Sequence, residues 1–343
     1  MPVELWPLYL LTVVFGLMTS YLIMRAGLGD VPDHRSSHED VIATGGGLVI
    51  IAVIGVFFLA LSRGHPEVAA TEYWPQILSL VWMVGFLGLM DDVYTPPTLI
   101  KISTMLVICG LAVLVVGPAT KLPFAPEGVE IPYVAGYAGS ILWLFVVMNT
   151  VNFMDGSNGL MAAAMGVAHT GLIVICILLG AQDIVWLSIA SILGVFVFLP
   201  FNFGSRARLF SGDTGALTLG FTYGLTALWL CNKASGSLPV FIGPVLILPL
   251  LGDVLLTLLH RTKCGEDILK PHRSHIYQRL IQRGTGHRVV ALIYASLTLV
   301  SVIYAWSLTR MGAQNSLSFL LMPTIIFISA YFIVDRQLRL GGY

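Results

Sequence analysis

Residues 184–215 read IVWLSIASILGVFVFLPFNFGSRARLFSGDTG. From Ile184 to Phe201 no side chain is charged, and the run is long enough to cross a hydrocarbon layer as a helix. At Asn202 the character changes. Asn202, Arg206, Arg208, Phe210 and Asp213 follow within a few positions, and a second apolar run starts at Thr214. An uncharged span followed by a short polar loop is the pattern of a polytopic membrane protein.

Working outward, the alternation fills the chain. Spans at about 5–24, 45–61, 76–90, 99–117, 136–152, 160–180, 184–201, 214–231, 239–259, 289–309 and 317–334 predict eleven transmembrane helices in one all-α membrane domain, 1–343. Of 343 residues 57% are apolar and 10% charged, against about 25% charged in soluble domains, so a soluble surface could not be covered. Disorder and collagen-like repeats are excluded with it. Eighteen Lys and Arg balance eighteen Asp and Glu, so no net field points to nucleic acid. Cys109, Cys176, Cys231 and Cys264 form no CxxC pair; they read as small hydrophobes rather than a disulfide scaffold. No Lys or Arg precedes Arg25, so the first run is expected to be a retained helix and not a cleaved signal.

The basic residues sort by side. Segments after the odd-numbered spans hold 14 of the 18 Lys and Arg, leaving Arg63, Lys121, Lys233 and Arg310 opposite. The positive-inside rule then predicts a periplasmic N-terminus, a cytoplasmic C-terminus and a site on the cytoplasmic face.

Five polar clusters lie on that face. The first loop carries Arg35 and His38, then Gly45-Gly46-Gly47, which either brings helix amides to an anion or packs a membrane helix closely. Asp91 and Asp92 end the third span, where the macrodipole opposes negative charge. They either begin a solvated loop or need a metal ion or a cation such as Lys101. Asn149 and Asn152 share a helix face, with Asp155 and the turn Asn158-Gly159 beyond; this set suits sugar hydroxyls or a base edge. In the fourth loop Asp213 is either a helix cap or a metal ligand, and Phe210 either stacks on a base or packs. The fifth holds His272-Arg273-Ser274-His275, suited to a diphosphate, with zinc on Cys264 and the two histidines as the alternative. Asp253 is the one deep carboxylate, a functional group or a helix–helix bond.

Taken in order, Gly45-Gly46-Gly47, Asp91-Asp92, Asn149-x-x-Asn152-x-x-Asp155-Gly-x-Asn158-Gly159, Phe210-x-Gly212-Asp213-x-Gly215 and the 272–275 block resemble the polyprenyl-phosphate N-acetylhexosamine-1-phosphate transferases over roughly residues 1–334. The resemblance implies transfer of a sugar 1-phosphate from a UDP-N-acetylated sugar to undecaprenyl phosphate in the bacterial inner membrane, releasing UMP, with Mg²⁺ (or Mn²⁺) as cofactor. It assigns Asp91, Asp92, Asp155 and Asp213 to catalysis, with Asp213 and Asp92 on the metal. Arg35, His38, Gly46, Lys101, Asn149, Asn152, Asn158, Asn202, Phe210, His272, Arg273 and His275 fall to substrate binding. Direct attack and a phospho-aspartate route both stay open, as does a homodimer. The run of adjacent histidines is broken after His275, and no Lys precedes Gly45, which moves the likeness from the peptidoglycan branch toward the O-antigen-initiating one. The rival class is a secondary transporter of a sugar nucleotide or lipid-linked sugar, which would carry ionisable groups near the midplane. CDP-alcohol phosphotransfer is disfavoured because Asp155-Gly156 is followed by Ser-Asn-Gly-Leu.

Overall fold

The computed structural model describes residues 5–26, 29–30, 42–66, 73–124, 128–204, 206–234, 239–267, 270, 272–312 and 317–340. Arg35 and His38 lie outside the described residues. The helices are α1 (Trp6–Ala26), α2 (Gly46–Gly64), α3 (Trp74–Tyr94), α4 (Thr98–Val116), α5 (Tyr133–Phe153), α6 (Leu160–Leu178), α7 (Val185–Asn202), α8 (Gly212–Lys233), α9 (Ile242–Leu246), α10 (Leu248–Lys263), α11 (Ile276–Gln282), α12 (His287–Arg310) and α13 (Leu317–Leu340). Among the described residues ten helical spans are long and apolar enough to cross a membrane, and the bent pair on either side of Ile247 makes an eleventh if it crosses as one span.

That break departs from the single helix expected over 239–259. Pro239–Leu246 and Leu248–Lys263 meet at 76°. Pro249 stands in the first turn of α10, where a missing N–H costs nothing, so a new helix starts there instead of continuing the old one.

The centre of the bundle is α8. Its membrane window is 94% buried, against 22% for α1 and 11% for α13. Between lipid-soluble helices burial adds no hydrophobic gain, so close packing must hold them, and small residues permit it. A Cβ on Gly220 would lie 2.9 Å from the Met148 Cα of α5, one on Gly88 of α3 would lie 2.5 Å from the Thr214 Cα, and one on Gly47 of α2 would lie 2.2 Å from the Gly215 nitrogen. Two α8 threonines silence their hydroxyls on their own helix: Thr218 donates to Thr214 O at 2.7 Å and Thr226 to Thr222 O at 2.8 Å.

Short strands also occur. β1 (Gly29–Asp30), β2 (Ile42–Thr44) and β5 (Leu209–Phe210) form one sheet, and β3 (Lys121–Leu122) pairs with β4 (Val129–Glu130). β2 runs parallel to β5, with Thr44 opposite Phe210. This pair fastens the first loop to the fourth, just before α2 and α8 begin.

Candidate active site

The site grows from the N-terminus of α8. Gly212, at φ 63°, lets the chain turn beside Asp92; a Cβ there would sit 2.5 Å from the Asp92 Oδ2. Asp92 Oδ1 accepts from the Asp213 amide at 2.8 Å, and Oδ2 accepts from the Thr214 amide at 3.1 Å and the Thr214 hydroxyl at 2.7 Å. Asp92 is thus misplaced on its own helix dipole and well placed on that of α8. Its neighbour turns the other way. Lys101, in the first turn of α4, donates to Asp91 Oδ2 at 2.5 Å and also to Asp213 Oδ2. Asn152 of α5 donates to the remaining Asp213 oxygen at 2.9 Å. The structure therefore splits the repulsive pair expected from the sequence: the predicted cation satisfies Asp91, and helix amides satisfy Asp92. Asp213 lies in the first turn of α8 and does not cap it, because its own oxygens face Lys101 and Asn152.

Asp155 belongs to the turn between α5 and α6. It accepts from the Ser211 hydroxyl at 2.5 Å. Burial pushes its carboxyl up to about 8, the charges of Asp213 and Asp92 add to the shift, and the Ser211 hydrogen bond opposes it. Asn202 and Asn158 brace this turn from below. Asn202 takes the Gly159 amide at 2.6 Å and donates to Leu209 O at 2.9 Å, while Asn158 donates to Gly204 O at 3.1 Å. Asn149 turns back on its own helix, donating to Phe145 O at 2.8 Å. Of the two readings of the glycine triplet, close packing is the one the structure displays. A Cβ on Gly46 would lie 2.4 Å from the Phe198 ring, and the Gly47 amide is already donated to Ser211 O at 2.9 Å. Phe210 is half-buried on β5.

The histidine loop lies against the same turn. Tyr277 of α11 donates to Phe153 O at 2.8 Å, and a Cβ on Gly156 would come 2.2 Å from that hydroxyl. The Phe153 ring is 6.4 Å from His272 and 5.9 Å from His275. The two histidines differ. His275 is 1% exposed, with Nδ1 3.5 Å from Asp253 Oδ1, so it faces inward and not toward a diphosphate. His272 is half-buried, and its Nδ1 lies 2.9 Å from the Ser274 hydroxyl. Burial pulls its imidazole down to about 4, with His275 and Arg261 adding, so it is neutral near pH 7. Arg273 is exposed, as are Lys263 and Lys270 earlier in the same loop.

Four carboxylates, Asp91, Asp92, Asp155 and Asp213, thus lie near one another, and the Lys101 ammonium bonds two of them, Asp91 and Asp213. Among the described residues no three His, Cys, Asp or Glu side chains form a ready metal cage. Asp253, expected deep in the membrane, instead reaches the amides of Ile276 and Tyr277 in the histidine loop. Ser211, Thr214, Tyr277 and Tyr294 carry contacts that the sequence reading did not assign. Ser211 and Thr214 stand within two residues of Asp213 in the chain, and that nearness is the signal the sequence carries for them.

Acids, amides and a basic loop at the ends of membrane helices suit chemistry on phosphate esters, and comparison with known proteins narrows the class. A family model described as glycosyl transferase family 4 matches residues 74–231, from the first residue of α3 nearly to the end of α8. The chain is 29% identical over 315 residues to a probable undecaprenyl-phosphate N-acetylglucosaminyl 1-phosphate transferase of Bacillus subtilis, covering 90% of this chain and 84% of that one. It is 29% identical to the decaprenyl-phosphate N-acetylglucosaminephosphotransferase of Mycobacterium tuberculosis, with 87% and 78% covered. Against the undecaprenyl-phosphate alpha-N-acetylglucosaminyl 1-phosphate transferase of Yersinia pestis the identity is 24%, with 88% and 83% covered. Over most of its length the chain is thus similar to enzymes named as polyprenyl-phosphate N-acetylglucosamine-1-phosphate transferases.

Proposed function

We propose that this protein transfers an N-acetylhexosamine 1-phosphate from a UDP-sugar to undecaprenyl phosphate, releasing UMP, on the cytoplasmic face of a bacterial inner membrane. The finer role is the first membrane step of O-antigen or other envelope polysaccharide synthesis, a reading supported by the His272-Arg273-Ser274-His275-x-Tyr277-Gln278 pattern. The observation that carries the proposal is the convergence of Asp91, Asp155, Asp213, Lys101 and Asn152 where uncharged helices end. A lipid phosphate and a water-soluble nucleotide can meet at such a place.

The donor set fits Mg²⁺. Mg²⁺ is held by one or two carboxylates together with substrate phosphates and keeps several waters, so it needs no complete protein cage. Asp213 and Asp91 are the candidate ligands, since both Asp92 oxygens already serve α8. When bound, the ion supplies charge neutralisation on the diphosphate.

In the transfer, a phosphate oxygen of the lipid attacks the β-phosphorus of the UDP-sugar. The new O–P bond forms as the bond from that phosphorus to the bridging oxygen breaks, and UMP leaves with the electron pair. Lys101 offsets negative charge next to the reacting phosphates, and Arg273 offsets it from the rim. Asp155, whose buried carboxyl titrates at about 8, takes the proton of a monoanionic lipid phosphate. Purified protein incubated with undecaprenyl phosphate, Mg²⁺ and a panel of UDP-N-acetylated sugars should release UMP with at least one. Silence across the panel overturns the reading.

A further inference from the structure

Asp253 has no part in the chemistry just described, yet it is among the most heavily engaged side chains of the protein. It is 1% exposed on α10. Its Oδ1 accepts from the Ile276 amide at 3.0 Å and the Thr257 hydroxyl at 3.2 Å. Its Oδ2 accepts from the Tyr277 amide at 3.4 Å and the Tyr294 hydroxyl at 2.5 Å. A carboxylate satisfied on both oxygens inside a membrane bundle fixes whatever donates to it. Here the donors are the first two amides of α11, which follow His275 directly.

The chain of contacts continues. The Tyr277 ring stacks on His275 at 5.9 Å and 15° between planes, and its hydroxyl reaches Phe153 O at 2.8 Å. Phe153 ends α5, two residues before Asp155. Gly156 leaves the space the hydroxyl occupies.

We propose that Asp253 is a positioning residue for transfer: by capping α11 it sets Tyr277, and Tyr277 sets the turn that carries Asp155. The inference rests on the transfer activity proposed above. Through this latch the bent ninth span holds both the histidine loop and the proton-accepting turn in register, although Asp253 itself touches no substrate.

The test measures UMP release by Asp253→Asn, Tyr277→Phe and the double variant in the full-length detergent-solubilised protein. Asp253→Asn places an NH₂ where the carboxylate accepts, and kcat should fall about tenfold to a hundredfold with a smaller change in KM for the UDP-sugar. Tyr277→Phe keeps the ring stack and removes the hydroxyl that reaches the 153–156 turn; kcat should fall about tenfold. Because both act along one path, the double variant should match Asp253→Asn alone, whereas independent effects multiply. A lower melting temperature with wild-type kcat and KM in the single variants overturns the proposal, and so do losses that multiply. Should Asp253→Asn fail to fold, Tyr277→Phe decides: a fall in kcat supports the latch, and wild-type kcat overturns it. A wild-type protein that releases no UMP fails the activity reading instead, so the two failures are distinct.

Discussion

At the mouth of the bundle Asp92 accepts hydrogen bonds from the first amides of α8, and on the bent span Asp253 does the same for α11. The two regions diverge around that shared contact. Asp253 is surrounded by Tyr294, Thr257 and His275 and is closed to water. The Asp92 region opens through Asp91, Lys101 and Asp213, whose side chains are 19%, 18% and 27% exposed. It also carries more carboxylates than cations. Fully compensated charge makes an anchor, and partly compensated charge leaves room for a ligand.

The largest effect expected from this contrast concerns metal. EDTA should abolish UMP release, and Mg²⁺ or Mn²⁺ should restore it; full turnover in metal-free protein would remove the ion from the site. Next comes Asp92→Asn. It leaves Thr214 facing an amide and takes a charge from the α8 N-terminus. Thermal stability in detergent should fall by about 1–2 kcal/mol, and kcat/KM by at least about a hundredfold. A stabilised variant would mean that repulsion from Asp91 outweighs the cap.

Asp155 offers a sharper test through pH. Its carboxyl is raised from the ordinary range to about 8, so it keeps its proton below that point and ionises above it. As the proton acceptor it should make kcat/KM climb roughly tenfold per unit below the midpoint and level off above it. Stability should run in the opposite direction, falling as pH rises from the ordinary carboxyl range to about 8 and levelling above it, because over that window the native state holds a proton that the unfolded chain has released. Asp155→Asn should flatten both profiles. A smaller loss, about tenfold in kcat/KM, is expected for Arg273→Ala at the exposed rim. Asn149→Ala should stay within about twofold, since the amide bonds only its own helix. A hundredfold loss there would place Asn149 on the substrate.

The spans were legible because a helix crossing lipid must be uncharged over a fixed length, and that length can be read from the chain. The cluster at Asp91, Asp155 and Asp213 was legible because acids and amides are expensive at a membrane boundary and stand out there. The partners were not. Asn202 looks like a ligand-binding amide and proves a brace, since residue type records hydrogen-bonding capacity but not which donor comes near. Asp92 and Asp253 cap helices from other segments, so no local box marks them. The parallel β2–β5 pair is two residues deep, too short for any alternation to appear. The break at Ile247 is carried by geometry that a hydropathy window averages away.

The central position of α8 also bears on how the protein is made. The ribosome delivers α3 with Asp92 well before the amides it will cap, 121 residues earlier. At 5–20 residues per second that interval lasts roughly 6–24 s. During it α4 to α7 are made ahead of the helix that occupies the axis, and Asp92 has only water as its donor. The delivery of α8 supplies both the axis and the amides that Asp92 accepts from, so the acidic cluster has all its residues before α9 to α13 are made.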